Sequence, residues 1–182
     1  MAETVASVLT PWSNFYIMTG SSASALTGLM FVVITLVTNV ERTRRSSDGI
    51  STFSTPTVVH FSAVLLASAL LCAPWRSLIH PATLLGLAGL SGVVYVFSLM
   101  YRTKRLTLYS ADLEDWAWYT VLPLVAYGTI LGGAVVLPAA PVHGLFAVAA
   151  GVLLLIFTGI HNAWDIVTFL VIRGPDEPPS ST

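Results

Sequence analysis

The stretch "VHGLFAVAAGVLLLIFTGIHNAWDIVTFLVI", residues 142–172, holds Asp165 and no other Asp, Glu, Lys or Arg. As a straight α-helix it would run about 46 Å, at ~1.5 Å per residue, against a bilayer hydrocarbon core of roughly 30 Å. The excess calls for tilt, a kink near Gly159 or a protruding end. The rest of the chain agrees in composition: of 182 residues, 55% are apolar and only 9% are charged. A water-soluble domain carries about 25% charged residues, because a wetted surface needs them. The lipid bilayer is therefore the first partner to expect.

Four further apolar segments precede this one, at about 12–40, 53–73, 81–101 and 116–137. Between them lie the polar runs "ERTRRSSDGIST" (41–52) and "RTKRLTLYSADLED" (102–115), and the short "PWRSLIH" (74–80) and "PAAP" (138–141). Pro74, Pro81, Pro138 and Pro141 fall at the breaks, where helices must stop or start. The expected fold is all-α: a polytopic transmembrane bundle of five helices in one domain, 1–173. A polar, proline-rich tail, 174–182, is expected to be disordered.

Positive charge sets the expected orientation. With five spans and the N-terminus outside, the inner segments hold Arg42, Arg44, Arg45, Arg102, Lys104, Arg105 and Arg173, and the outer ones hold only Arg76. Lys and Arg retained on the cytoplasmic side are the main topology signal of multi-pass proteins. The C-terminus is then cytoplasmic and the location the plasma (inner) membrane. Trp12, Trp75, Trp116 and Trp118 fall at interfaces, and Asp112, Glu114 and Asp115 read as a solvated N-terminal cap on the fourth helix. The N-terminus, with Glu3 and no basic flank, reads as part of a retained helix rather than a cleaved signal. Cys72 is the only cysteine, which excludes an intrachain disulfide and any thiol-pair site. No basic block suits nucleic acid.

Helices in lipid associate through close backbone approach and polar contacts. Gly20, Ser24 and Gly28 recur every fourth residue on the first helix, a small-residue ridge expected to pack within the chain or against a second copy. The same helix carries Trp12, Phe15, Tyr16, Gly20 and the run Ala25, Leu26, Thr27, Gly28, Leu29, then Phe31 and Val32. This pattern resembles that of small, functionally uncharacterised bacterial integral membrane proteins. The resemblance covers the first helix and implies a bacterial plasma-membrane protein, with no activity or site residue attached.

Candidate chemistry lies on the last helix. His161 and Asp165 stand four residues apart, one turn over the other, so each lowers the cost of burying its partner. An aspartate at the centre of a span costs about 2.5–3.5 kcal/mol. Thr158 shares the face, Asn162 points elsewhere and needs another partner, and His60 on the second helix could reach a similar depth. Three readings stay open. The cluster could be polar packing; it could line a pathway for protons or small ions, since histidine changes charge near neutral pH; or His60, His161 and Asp165 could hold a metal, with the carboxylate orienting an imidazole. A haem variant adds His80 and His143, which fall in expected turns. No cofactor is called for by the residues. The absence of hydrolase, zinc-protease and phosphate-loop motifs leans against catalysis. The function expected is a channel, transporter or transporter-associated subunit, oligomeric or part of a larger complex. The alternatives are a non-transporting scaffold or modulatory subunit, or a metal or haem protein.

Overall fold

The computed structural model describes residues 4–41, 50–105 and 116–172, and all its regular structure is helical. A short α1 (Val5–Leu9) leads through a 3₁₀ turn (Thr10–Trp12) into α2 (Ser13–Glu41). Then follow α3 (Ile50–Cys72), α4 (Ile79–Arg105), a π-helical turn (Ala117–Val121) continuing into α5 (Leu122–Val136), and α6 (Pro141–Ile172). Each apolar segment of the sequence thus becomes one helix. Four are long and apolar enough to cross a membrane, Val5–Thr35, Ile79–Tyr101, Ala117–Val136 and Pro141–Asp165, while Pro56–Cys72 is a shorter apolar stretch. Arg42, Arg44, Arg45, Arg173, the acidic cluster Asp112, Glu114 and Asp115, and the tail 174–182 lie outside the described residues, as do the side chains of Arg102, Lys104 and Arg105.

Side-chain contacts fix the directions. Tyr16 Oη donates to Leu145 O at 3.2 Å, so α2 and α6 start at the same end of the bundle. Gly20 of α2 meets Ser68 of α3, and Gly159 of α6 meets Phe61 of α3, so α3 runs opposite to both. Gly89 of α4 faces Leu131 of α5, and Gly151 of α6 faces Ala126 and Ile130 of α5. Successive long helices are therefore antiparallel. Trp12, Trp75 and the 137–140 turn mark one end, called here the Trp12 end, and Trp118 lies toward the other.

The pleating of this bundle depends on missing side chains. A Cβ on Gly151 would stand 2.7 Å from Ala126 O, and one on Gly144 would stand 2.6 Å from Leu137 Cα. The α5–α6 hairpin closes to backbone contact because neither position carries a side chain. The first-helix ridge divides. Gly20 is buried against Ser68, whereas Gly28 has nothing within 4 Å and Ser24 is exposed, so two-thirds of that ridge does not pack against the other described residues.

Apolar side chains fill the core and also cover the exterior. Leu29, Phe31, Phe146, Phe157 and Trp164 all point outward, Trp164 with 68% exposure. Thr19, Thr57, His60, Ser68, Thr158 and Asn162 are buried. An apolar exterior spread over every face is far beyond the patch a soluble monomer exposes, and suits a solvent of acyl chains.

Proline falls within four helices, Pro56 lying inside α3. Pro81 and Pro141 sit in first turns, where their missing N–H costs nothing. Pro123 sits inside the continuous helix 116–136 and cannot donate to the carbonyl one turn back. The turn ahead of it, Ala117–Val121, is widened to π, one way to relieve such a ring.

Candidate functional site

The polar residues of the bundle fall into three groups. Near the Trp118 end, His161 Nδ1 lies 3.4 Å from Asp165 Oδ2, with the side chains 28% and 42% exposed. Nδ1 itself is shielded and makes no aligned hydrogen bond, so the contact is electrostatic. Trp118 lies flat on the imidazole, ring centroids 3.7 Å apart and planes 4° from parallel. The widened turn before Pro123 carries Trp118 to this position.

Deeper, His60 Nδ1 and Tyr127 Oη are 3.0 Å apart, and both residues are almost fully buried. Gly92 makes room for the Tyr127 ring, which would otherwise collide with a side chain there. His60 therefore pairs across α3 and α5 and does not join His161 and Asp165. Among the described residues no three His, Cys, Asp or Glu side chains gather to hold a metal, so the set His60, His161 and Asp165 is not assembled. His80 and His143 occupy the first turns of α4 and α6, not loops, and both are exposed; His80 stacks on Trp75 at 6.1 Å.

Between these pairs lie Thr57, Thr158 and Asn162, each 0% exposed. Exterior hydroxyls bond back to their own helix, as Thr35 does to Phe31 O at 2.8 Å, Ser98 to Val94 O at 2.8 Å and Thr129 to Val125 O at 2.7 Å. Thr57 Oγ1 and Thr158 Oγ1 forgo that bond, and they, with both amide atoms of Asn162, have no partner among the described residues. A buried polar group left so costs about 1–3 kcal/mol.

Toward the Trp12 end the interior turns apolar. Val64, Leu85 and Leu155 are 0% exposed, and the void beside Tyr127, about 10 Å³, is lined by Ala63, Ala67, Leu85, Ala88, Gly89 and Ile130. That is at the lower limit for one water molecule, with apolar walls. Beyond it, Thr19 Oγ1 and Ser68 Oγ bond at 3.1 Å.

Sequence reasoning singled out His161, Asp165, Thr158, Asn162 and His60, and missed Thr57, Trp118 as a stacking partner, and Tyr127. Thr57 had a signal, since it stands three residues before His60 on the same helical face. An all-helical bundle with an apolar exterior and four helices long and apolar enough to cross a membrane marks a membrane protein. Comparison with known protein families, curated proteins and solved structures gives no significant match, so the likeness of the first helix to small bacterial membrane proteins rests on that helix alone.

Proposed function

We propose that the chain is a multi-pass protein of the bacterial inner membrane that crosses the bilayer five times, N-terminus outside, C-terminus in the cytoplasm. In this reading it moves protons or small ions, as a channel, a transporter or a subunit of one. The Trp118 end is cytoplasmic, which keeps every Lys and Arg but Arg76 on that side. The short apolar stretch of α3 crosses with the others, being packed antiparallel between α2 and α6.

One observation carries the transport reading. The half-exposed His161–Asp165 pair stands at the mouth of a set of buried polar side chains, Asn162, Thr158, Thr57 and the His60–Tyr127 pair. Ionisable groups within a span, opening to one aqueous phase, are the usual mark of a proton or ion path. Transport across the whole bundle requires the apolar band at Val64, Ala67 and Leu85 to open. That same band favours the second reading, a modulatory subunit that exchanges protons with the cytoplasm and passes nothing through. Assembly with a second copy or another subunit uses the outward face of α2 at Ser24 and Gly28.

Purified wild type and Asp165→Asn in liposomes bearing a pH-sensitive dye distinguish the two. The transport reading expects wild-type flux that depends on pH and a variant at the rate of empty liposomes. Equal flux from both, or none from either, contradicts it.

A further inference from the structure

We infer that α3, α5 and α6 enclose a water-holding pocket, walled by Thr57, Thr158 and Asn162, that connects the His161–Asp165 pair to the buried His60–Tyr127 pair. Its purpose rests on the transport reading, while its existence does not.

Register brings the three residues together. Phe61 of α3 lies against Gly159 of α6. Thr57 is one turn from Phe61, and Asn162 three residues from Gly159, both toward the Trp118 end of antiparallel helices. Thr158 stands one turn from Asn162 on the face of α6 that Gly151 turns toward α5, next to the Gly159 face turned toward α3. All three are wholly buried and four of their polar atoms lack partners among the described residues: two hydroxyl oxygens and both ends of one amide.

The chemistry of the walls selects the occupant. Asn162 presents an acceptor, Oδ1, and a donor, Nδ2, to the same space. A bare cation is met by Oδ1 and repelled by the amide hydrogens; an anion meets the reverse. The hydroxyls of Thr57 and Thr158 both donate and accept, and so does water, which alone of these satisfies every wall atom. The pocket is closed on two sides. The Phe61 ring separates it from an apolar groove of about 220 Å³ between α2 and α6, which Leu29, Met30 and Trp164 also line. Val64 and Leu155 close it toward the Trp12 end. Toward the Trp118 end the next polar group is His161, whose Nδ1 is shielded and faces Asp165 Oδ2 at 3.4 Å. Water held here gives His60 a hydrogen-bonded link to the cytoplasmic phase that the protein side chains alone do not complete.

Silver ion, a thiolate reagent carried by water, reads the pocket directly. Single-cysteine variants Thr57→Cys, Thr158→Cys and Asn162→Cys are made with Cys72→Ser, and Val64→Cys serves as the dry buried control. In proteoliposomes, the pocket positions are expected to react several-fold faster than Val64→Cys, since a thiol ionises only where water reaches it. Rates equal to Val64→Cys, in variants that elute like wild type, overturn the pocket. The unsubstituted protein supplies a second reading: magnetisation transfer from water to the Asn162 side-chain amide in bilayers is expected, and its absence overturns the inference equally. Labelling without Asp165-dependent flux keeps the pocket and removes the transport reading; flux without labelling does the opposite.

Discussion

At the scale of single residues, the arrangement turns on side chains that are absent and on hydrogen bonds that are shared. Gly151 lets α6 touch the carbonyl of Ala126, and a leucine there has no space to enter, with Ile130 Cγ1 only 2.6 Å from the position of a Cβ. Gly151→Leu should destabilise the bundle by about 1–3 kcal/mol, the usual cost of overpacking. Gly128→Leu, where the Cβ meets nothing within 4 Å, should leave thermal unfolding in detergent unchanged. Equal shifts for both variants would contradict the packing described. The His60–Tyr127 contact at 3.0 Å makes a subtler prediction. Tyr127→Phe removes one partner and strands the other, and polar pairs between membrane helices average near 0.6 kcal/mol, so a loss of about 1 kcal/mol is expected. His60→Phe with Tyr127→Phe should cost less than the two single changes summed; strict additivity in chemical unfolding would show that the pair does not interact.

At the scale of elements, hydropathy made the helices legible and side-chain direction made the site obscure. The apolar segments 81–101 and 142–172 emerge as α4 (Ile79–Arg105) and α6 (Pro141–Ile172), with ends displaced by only a few residues. A length of uncharged chain specifies a helix in lipid because no other unbranched conformation satisfies its backbone there. The π turn ahead of Pro123 was not legible: the segment 116–137 reads as one helix running through the proline, and nothing in "WAWYTVLP" says that the turn before it widens. Trp118 accordingly read as an interface anchor, and its stack on His161 was missed. Pro123→Ala restores the N–H, closes the widened turn to α and swings residues 117–121 around the axis. His161 should then be uncovered and react several-fold faster with diethylpyrocarbonate, read residue by residue by mass spectrometry. An unchanged rate at His161 contradicts the role given to that turn.

At the scale of the whole molecule, pairing across helices is what the sequence could not reveal. The i, i+4 spacing of His161 and Asp165 was readable because both lie on one helix, and their 3.4 Å contact follows from it. That His60 turns to Tyr127, away from His161, depends on how α3 settles between α2 and α6 and within reach of α5, which no spacing within α3 encodes. Likewise Gly20, Ser24 and Gly28 share a face by period, but the crossing of α2 over α3 covers only the first of them. The functional account needs one thing of the molecule above all: that its antiparallel helices, α3 included, each cross the bilayer and bring the His161 end to the cytoplasm. Mapping five sites with a membrane-impermeant cysteine reagent in intact cells tests this most directly, using Ser46, Ser77, Ser110, Ala139 and Ser180 changed singly to cysteine in the Cys72→Ser chain. Labelling of positions 77 and 139 from outside, with 46, 110 and 180 protected until the cells are opened, is the predicted result; positions 46 and 77 reacting from the same side would contradict it.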